Sequence, residues 1–186
     1  NAEIIDILKQ YNAIDDLQNT DGYTTLIFAA MGGNVTIVKA LTTDKKNLNT
    51  QTNRGNTALI LAANNGHSNI VKELLEAGAE VNVHNNHSFT SLMAAAQQGH
   101  LKIVEKLLTQ DTLEINQQDQ NGNTALILAA NNGHSNIVEK LINAGANINA
   151  TNLEGNTALM YAINKNLHLD RKSTRLNSSH QIISYA

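Results

Sequence analysis

Three histidines recur at one place in the sequence and are the first residues to consider for chemistry. His67, His100 and His134 each follow a glycine and lie 33 or 34 residues apart. Neutral imidazoles bind zinc, but zinc ligands must converge at about 2 Å from the metal. Equivalent residues of neighbouring helix layers are about 10 Å apart. We therefore interpret these histidines as structural residues of a turn, and we expect no metal site and no cofactor.

Two serines and several glutamates also resemble parts of a catalytic site when they are taken alone. Ser68 and Ser135 follow two of these histidines where a helix is predicted to begin, so N-capping explains them better than nucleophilic catalysis. No phosphate-binding glycine loop, serine–histidine–acid order or metal motif is present. The sequence therefore predicts no catalytic residues and no enzyme. Acidic residues alternate with lysines on the same predicted helices and indicate a solvated face, not a catalytic pair: Glu73, Glu76, Glu105 and Glu139.

Composition narrows the remaining classes of protein. The 186 residues carry a formal charge of -3, which favours neither nucleic acid nor an acidic membrane as a partner. Cysteine is absent, which excludes disulfides, thiol catalysis and cysteine-based zinc sites. No apolar run approaches the roughly 18 residues of a membrane span. The chain begins with Asn1 and no secretory signal precedes its repeats, so the compartment stays open, with the cytoplasm or export to a host cytosol favoured.

Self-similarity is the dominant feature of the sequence. Residues 55–71 read GNTALILAANNGHSNIV, and residues 122–138 read the same seventeen letters. Weaker copies begin at residues 22, 88 and 155. The leucines that mark the pattern are 33, 33, 34 and 33 residues apart: Leu26, Leu59, Leu92, Leu126 and Leu159. This regularity predicts a stack of similar structural units.

Each unit is predicted to contain a helix, a turn, a second helix and a polar finger. A threonine such as Thr57 precedes a short apolar stretch and is expected to cap the first helix. Asn65–Gly66 then ends that helix, since glycine tolerates positive φ. The second helix carries apolar residues at helical spacing and ends at Gly78. Lys45 stands where other units carry this last glycine, so that helix is expected to end differently.

The pattern resembles the ankyrin repeat, with its T-P-L-H-x-A signature. That signature reads TTLIFA, TALILA, TSLMAA, TALILA and TALMYA here, without its proline and histidine, and the second-helix motif reads GHSNIVKELLEAGA over residues 66–79. The resemblance implies an all-α ankyrin-repeat solenoid of stacked helix-turn-helix units with β-hairpin-like finger loops. We predict the second half of a truncated repeat at 1–18, repeats at 19–51, 52–84, 85–118 and 119–151, and a truncated repeat at 152–169.

Residues 170–186 break the period completely. They resemble the translated read-through of a sequencing-library adapter, and a basic, serine-rich natural tail is the alternative. We interpret this segment as an artefact, so the reasoning about the fold stops near residue 169.

In ankyrin proteins the finger tips and the exposed side of the first helices form the concave face, which binds partners. The resemblance implies that another protein binds here, and we expect the chain to be a monomer. Tyr23, Arg54 and Phe89 are of the types that usually dominate interface energies, although packing against a neighbouring finger explains Phe89 almost equally well. Carried over by position, the expected partner-binding residues are Tyr23, Met31, Asn53, Arg54, Asn56, Asn64, His87, Phe89, Gln97, Gln98, Asn123 and Asn131.

Two other functions stay open at this point. The chain is either an interaction module or the ankyrin segment of a larger enzyme or secreted effector whose catalytic domain lies outside these residues. A third reading is a structural spacer without a specific ligand. The sequence names neither the partner nor the source organism nor the architecture of the full-length protein.

Overall fold

A computed structural model describes residues 17–43, 45 and 47–164. The last described residues, 158–164, are helical. No extended strand forms within the described residues, where one antiparallel bridge joins His84 to Thr90 in a finger. The helices come in pairs: α1 (Thr25–Met31) with α2 (Val35–Thr42), α3 (Ala58–Asn64) with α4 (Ser68–Ala77), α5 (Ser91–Gln98) with α6 (Leu101–Leu107), and α7 (Ala125–Asn132) with α8 (Ser135–Asn143).

Threonine caps the first helix of each pair, as the sequence predicts. The Thr57 hydroxyl accepts a hydrogen bond from the Ile60 backbone N–H at 3.2 Å, and Thr24, Thr90 and Thr124 make the equivalent bond. Each of these four threonines is buried. A buried cap satisfies an N–H that would otherwise lack a partner, which is worth about 1 kcal/mol.

The second helices begin differently from the prediction. His67 and His134 occupy the N-cap positions and make no side-chain capping bond, while Ser68 and Ser135 are the first helical residues. The expectation that these serines act as N-caps is therefore wrong. The boundary lies one residue earlier because the preceding glycine turns the chain, and the serine N–H bonds to the carbonyl of Gly66 in the second repeat.

Lys45 shows how the fold treats a position that usually holds glycine. Helix α2 ends at Thr42, earlier in the repeat frame than α4, which reaches Ala77. Lys45 nevertheless has a φ of 53°, in the left-handed region, as Gly78 does with 103°. Lysine in this region carries backbone strain that glycine avoids.

The core is a continuous seam of small and aliphatic side chains. The marker leucines Leu26, Leu59, Leu92 and Leu126 are at most 5% exposed, and they belong to one cluster with the paired alanines of the first helices. First helices of neighbouring layers pack together more extensively than second helices do. The solenoid therefore curves toward its first helices.

Some predictions fall outside the described residues. Most of the truncated repeat at 1–18, the end of that at 152–169, and the interpretation of 170–186 as an artefact belong to this group. Within the described part, no helix has the length and apolar character needed to cross a membrane.

Candidate functional site

The finger tips form one hydrogen-bonded row along the stack. Asn53 donates its backbone N–H to the Asp21 carbonyl at 3.0 Å, and the same bond is repeated at each later finger junction. Within a finger, an Asn, Asp or Thr side chain accepts bonds from backbone N–H groups two or four residues ahead, as Asn85 does from His87 and Phe89. These bonds fix the positions of the tips relative to one another.

Several of the predicted amide side chains take part in this row. The Asn53 Nδ2 donates to the Thr20 carbonyl at 2.8 Å. The Oδ1 atoms of Asn56 and Asn123 accept from asparagines of the following fingers, at 2.8 and 3.1 Å. Part of their hydrogen-bonding capacity therefore holds the fingers together.

Two of the predicted partner-binding residues at the tips are charged or titratable, and both are exposed. Arg54 is exposed and makes no ion pair with any residue in the described part of the chain. His87 is also exposed, and its Nδ1 lies 3.1 Å from the Gln120 Oε1 of the next finger. Since no described residue pairs with it, the Arg54 guanidinium is available to a carboxylate or carbonyl of another molecule.

Aromatic residues form a pair that the sequence prediction recognised only in part. Tyr23 is half-buried, and its ring stacks on Phe28 with centroids 5.0 Å apart and planes 30° from parallel. Phe28 is 48% exposed and was not among the predicted residues. Phe89 is half-buried and packs against the core cluster, as the alternative interpretation of this residue expected.

The remaining predicted residues lie at the carboxyl ends of the first helices. Met31, Asn64 and Gln97 are half-buried, whereas Gln98 and Asn131 are exposed. The Gln98 Nε2 is 3.4 Å from the Asn64 Oδ1, which links the third layer to the second. These side chains continue the row of finger tips along the exposed side of the first helices.

The three histidines join successive layers. The Nε2 atoms of His67, His100 and His134 lie 3.0 to 3.1 Å from the carbonyl oxygens of Met31, Asn64 and Gln97 in the preceding layer. A carbonyl only accepts, so each Nε2 carries the proton.

Each imidazole also packs against a glycine of the preceding layer. A Cβ at Gly66 would lie 2.8 Å from the His100 ring, and a Cβ at Gly99 would lie 2.6 Å from that of His134. Glycine is therefore needed at these turns for space as well as for its backbone angles. Within the described residues, no group of three His, Asp or Glu side chains is arranged to hold a metal.

The glutamates pair with lysines on the second helices. Lys39 bonds to Glu73 at 3.3 Å and Lys140 to Glu105 at 3.0 Å, both between neighbouring layers. Lys72 lies 3.5 Å from Glu76 within α4. All three pairs are partly exposed, so each contributes little to stability. This geometry agrees with the interpretation of these glutamates as part of a solvated face with an ion pair along a helix. The two ion pairs between layers were not predicted.

Sequence reasoning missed Phe28 and the bonding role of the amides for different reasons. Position 28 holds leucine or alanine in the next three repeats, so an aromatic residue there was a usable signal. The amide bonds join residues 29 to 34 positions apart, as with Asn85 and Asn56, and depend on the register of neighbouring fingers. No local pattern specifies that register.

Comparison with known proteins agrees with the geometry. A family model described as Ankyrin repeats (3 copies) matches residues 1–85, 38–119 and 92–170. A search of curated proteins finds no match. Ankyrin repeats serve in general as protein–protein interaction modules and are typically not catalytic. Because the matches extend over most of the sequence, and the paired helices, glycine turns and fingers follow the same period, the chain belongs to the ankyrin repeat family.

Proposed function

We propose that this chain binds a partner protein across its concave face, by shape and side-chain complementarity and without chemistry. The finger tips and the first helices are held in register by backbone and amide bonds that cross every layer. A surface fixed in this way loses little conformational entropy when a partner binds. That is the physical advantage of a recognition surface built on a solenoid.

The stacked pair of Tyr23 and Phe28 is the observation that carries the proposal. Nearly half of the Phe28 side chain is in contact with solvent, next to a second aromatic ring. Exposed aromatic groups of this kind are enriched among the residues that dominate interface energies. Arg54, on the neighbouring finger, adds an exposed positive charge that forms no ion pair with any described residue.

The predicted residues are proposed to contribute unequally. Tyr23, Phe28 and Arg54 supply most of the binding energy, with Met31 and Phe89 extending the apolar contact. The amide residues form the polar rim, where part of their capacity already serves the fingers. The rim therefore supplies specificity more than affinity: Asn53, Asn56, Asn64, His87, Gln97, Gln98, Asn123 and Asn131.

The test compares proteins captured by three forms of the chain. The concave-face variant carries Phe28→Ala and Arg54→Ala, both exposed positions whose truncation leaves the core intact. The matched control carries Lys102→Ala and Glu139→Ala, exposed residues of two second helices. Circular dichroism and thermal melting check that all three forms are equally folded.

We expect the wild type and the control to capture the same proteins from a cell lysate. The concave-face variant should bind the purified partner at least about tenfold more weakly, the loss expected for truncating interface anchors. Equal capture by all three forms would contradict the site. The absence of any captured protein would favour a spacer instead.

A further inference from the structure

Two rows of residues run along the stack on the second helices, and residues of the two rows meet between layers. The first row is Lys39, Lys72, Glu105 and Glu139. The second row, one residue later in each helix, is Ala40, Glu73, Lys106 and Lys140. Lys39 bonds to Glu73 at 3.3 Å, and Glu105 bonds to Lys140 at 3.0 Å. A first-row residue therefore pairs with the second-row residue of the following layer.

The middle junction, between α4 and α6, has this register but a different charge pattern. Its two positions are Lys72 and Lys106, so like charges stand where both neighbouring junctions have opposite ones. Lys72 pairs with Glu76 of its own helix at 3.5 Å, and both of these side chains are more than half exposed. Lys106 makes no ion pair with any described residue. Because an exposed pair along one helix is weak, Lys72 can exchange Glu76 for another anion.

A groove of about 610 Å³ lies along the middle junction. Both lysines line it, and the half-buried Leu75 adds apolar surface. Its two carboxylates already have partners, Glu76 within α4 and Glu105 across the next junction. No residue of a first helix or of a finger tip lines this groove, so it is separate from the concave face. We call it the lysine groove.

We propose that the lysine groove binds a carboxylate from an acidic segment of a partner protein, between Lys72 and Lys106. The neighbouring junctions show which group fits this register, because each of them is closed by a glutamate oxygen, from Glu73 or from Glu105. A carboxylate from outside the chain supplies the negative charge that the middle junction lacks. Its two oxygens accept hydrogen bonds from both ammonium groups.

A third lysine in the groove does not belong to either row. Lys102 lies one turn before Lys106 on α6, and the equivalent positions of the adjacent layers hold Asn69 and Asn136. No ion pair occurs at that register among the described residues. The proposed contact therefore consists of the two lysines in the rows and does not require the third.

The overall charge of the chain helps to separate this site from general electrostatic attraction. The formal charge is -3, so an acidic ligand is not drawn to the molecule as a whole. Its binding depends on a local arrangement of lysines, and exposed pairs of this kind weaken as salt screens them. The inference also does not depend on partner binding at the concave face.

The first experiment measures binding of a fluorescent peptide of alternating glutamate and alanine to the full chain, by anisotropy at low ionic strength. A peptide with glutamine in place of every glutamate is the matched ligand. The glutamate peptide should bind at least about fivefold more tightly. Equal affinities would overturn the proposal. Tighter binding of inorganic phosphate than of the glutamate peptide would also overturn it, since the groove would then suit a phosphate.

Charge reversal at one lysine tests the position of the site. Lys106→Glu gives Lys72 an anion within the chain, as Lys39 already has, and should weaken binding of the glutamate peptide at least about fivefold. Lys45→Glu is the matched control, because it makes the same charge change at an exposed lysine outside the groove. It should keep the wild-type affinity. Equal weakening by both variants would mean that the peptide senses only total charge, and the site would be wrong.

Thermal melting without peptide tests the register independently of any ligand. Lys106→Glu replaces like charges by opposite ones, so the melting temperature should rise by about 1–3 °C at low ionic strength. The gain should shrink in high salt. Lys106→Gln, which only removes a charge, should give a smaller rise and a smaller loss of peptide binding. A lower melting temperature for Lys106→Glu, or unchanged peptide binding by Lys106→Gln, would contradict the proposed contact.

Discussion

The second and fourth repeats contain the same seventeen residues, from Gly55 to Val71 and from Gly122 to Val138, but the stack uses them differently. Val71 is fully buried, whereas Val138 is only half-buried. The difference arises because α4 packs between α2 and α6, while α8 contacts α6 among the second helices of the described part. Identical local sequence therefore does not fix how much of a side chain is buried.

One asparagine side chain also makes different hydrogen bonds in the two repeats. The Asn65 Nδ2 donates to the Met31 carbonyl of the preceding layer at 3.0 Å. The equivalent Asn132 donates to the Leu128 carbonyl of its own helix at 2.8 Å. One residue type thus joins two layers in the second repeat and closes a single helix in the fourth. The two helices also end differently, since Asn65 is the C-cap of α3 whereas Asn132 is the last residue of α7.

The largest expected effect tests the contact between the second repeat and the third. Gly66→Ala places a methyl group against His100 and forces alanine into the left-handed region, where φ is 79°. We expect a loss of about 2–3 kcal/mol in the free energy of unfolding, combining backbone strain with a weakened layer bond. Urea denaturation followed by circular dichroism measures it.

Gly78→Ala is the matched control for this substitution. Gly78 also has positive φ, but no neighbouring atom lies within 4 Å of a Cβ there. Its replacement should cost about 1 kcal/mol, the backbone strain alone. Equal losses for the two variants would mean that the His100 contact does not constrain the turn.

The next effect compares the two identical repeats directly. Val71→Ala should cost about 2 kcal/mol, because it removes two fully buried methyl groups and leaves a cavity. Val138→Ala should cost about 1 kcal/mol, since this side chain is only half-buried. Thermal melts of the two variants check this. The opposite order would contradict the assignment of burial to neighbouring layers.

The smallest expected effect is a gain in stability. Lys45→Gly relieves a left-handed residue at the position where the second repeat carries Gly78. The strain removed exceeds the entropy that glycine adds to the unfolded chain, so we expect about 0.5–1 kcal/mol of stabilisation. A rise in the melting temperature checks it, with Lys102→Gly, inside α6, as a destabilising control. A fall with Lys45→Gly would show that the lysine side chain makes a stabilising contact.

Most of the fold was predictable because its signals are local. Threonine before an apolar stretch and glycine after it fix the ends of each first helix, and the 33-residue period fixes the number of layers. The N-cap of the second helix was missed because histidine rarely occupies that position. His67 and His134 do so here because the preceding layer supplies a carbonyl for each imidazole.

The candidate site was less predictable than the fold. Position within the repeat was enough to place Arg54 and Gln98 on exposed surface. It did not reveal that the Asn53 and Asn56 side chains form hydrogen bonds with adjacent fingers. Nor did it reveal that Phe28 stacks on Tyr23 while remaining exposed to solvent. Those features depend on distances between chain segments that sequence spacing does not give.

The sequence by itself determined the repeating unit, because capping, turn formation and helical spacing act within about ten residues of chain. Only the tertiary structure decided which copy of a repeated residue is buried, which amide crosses a layer and which apolar surface stays open. The physical reason is that burial and hydrogen bonding are properties of pairs of layers. A residue in an identical repeat changes its role when the layer next to it changes.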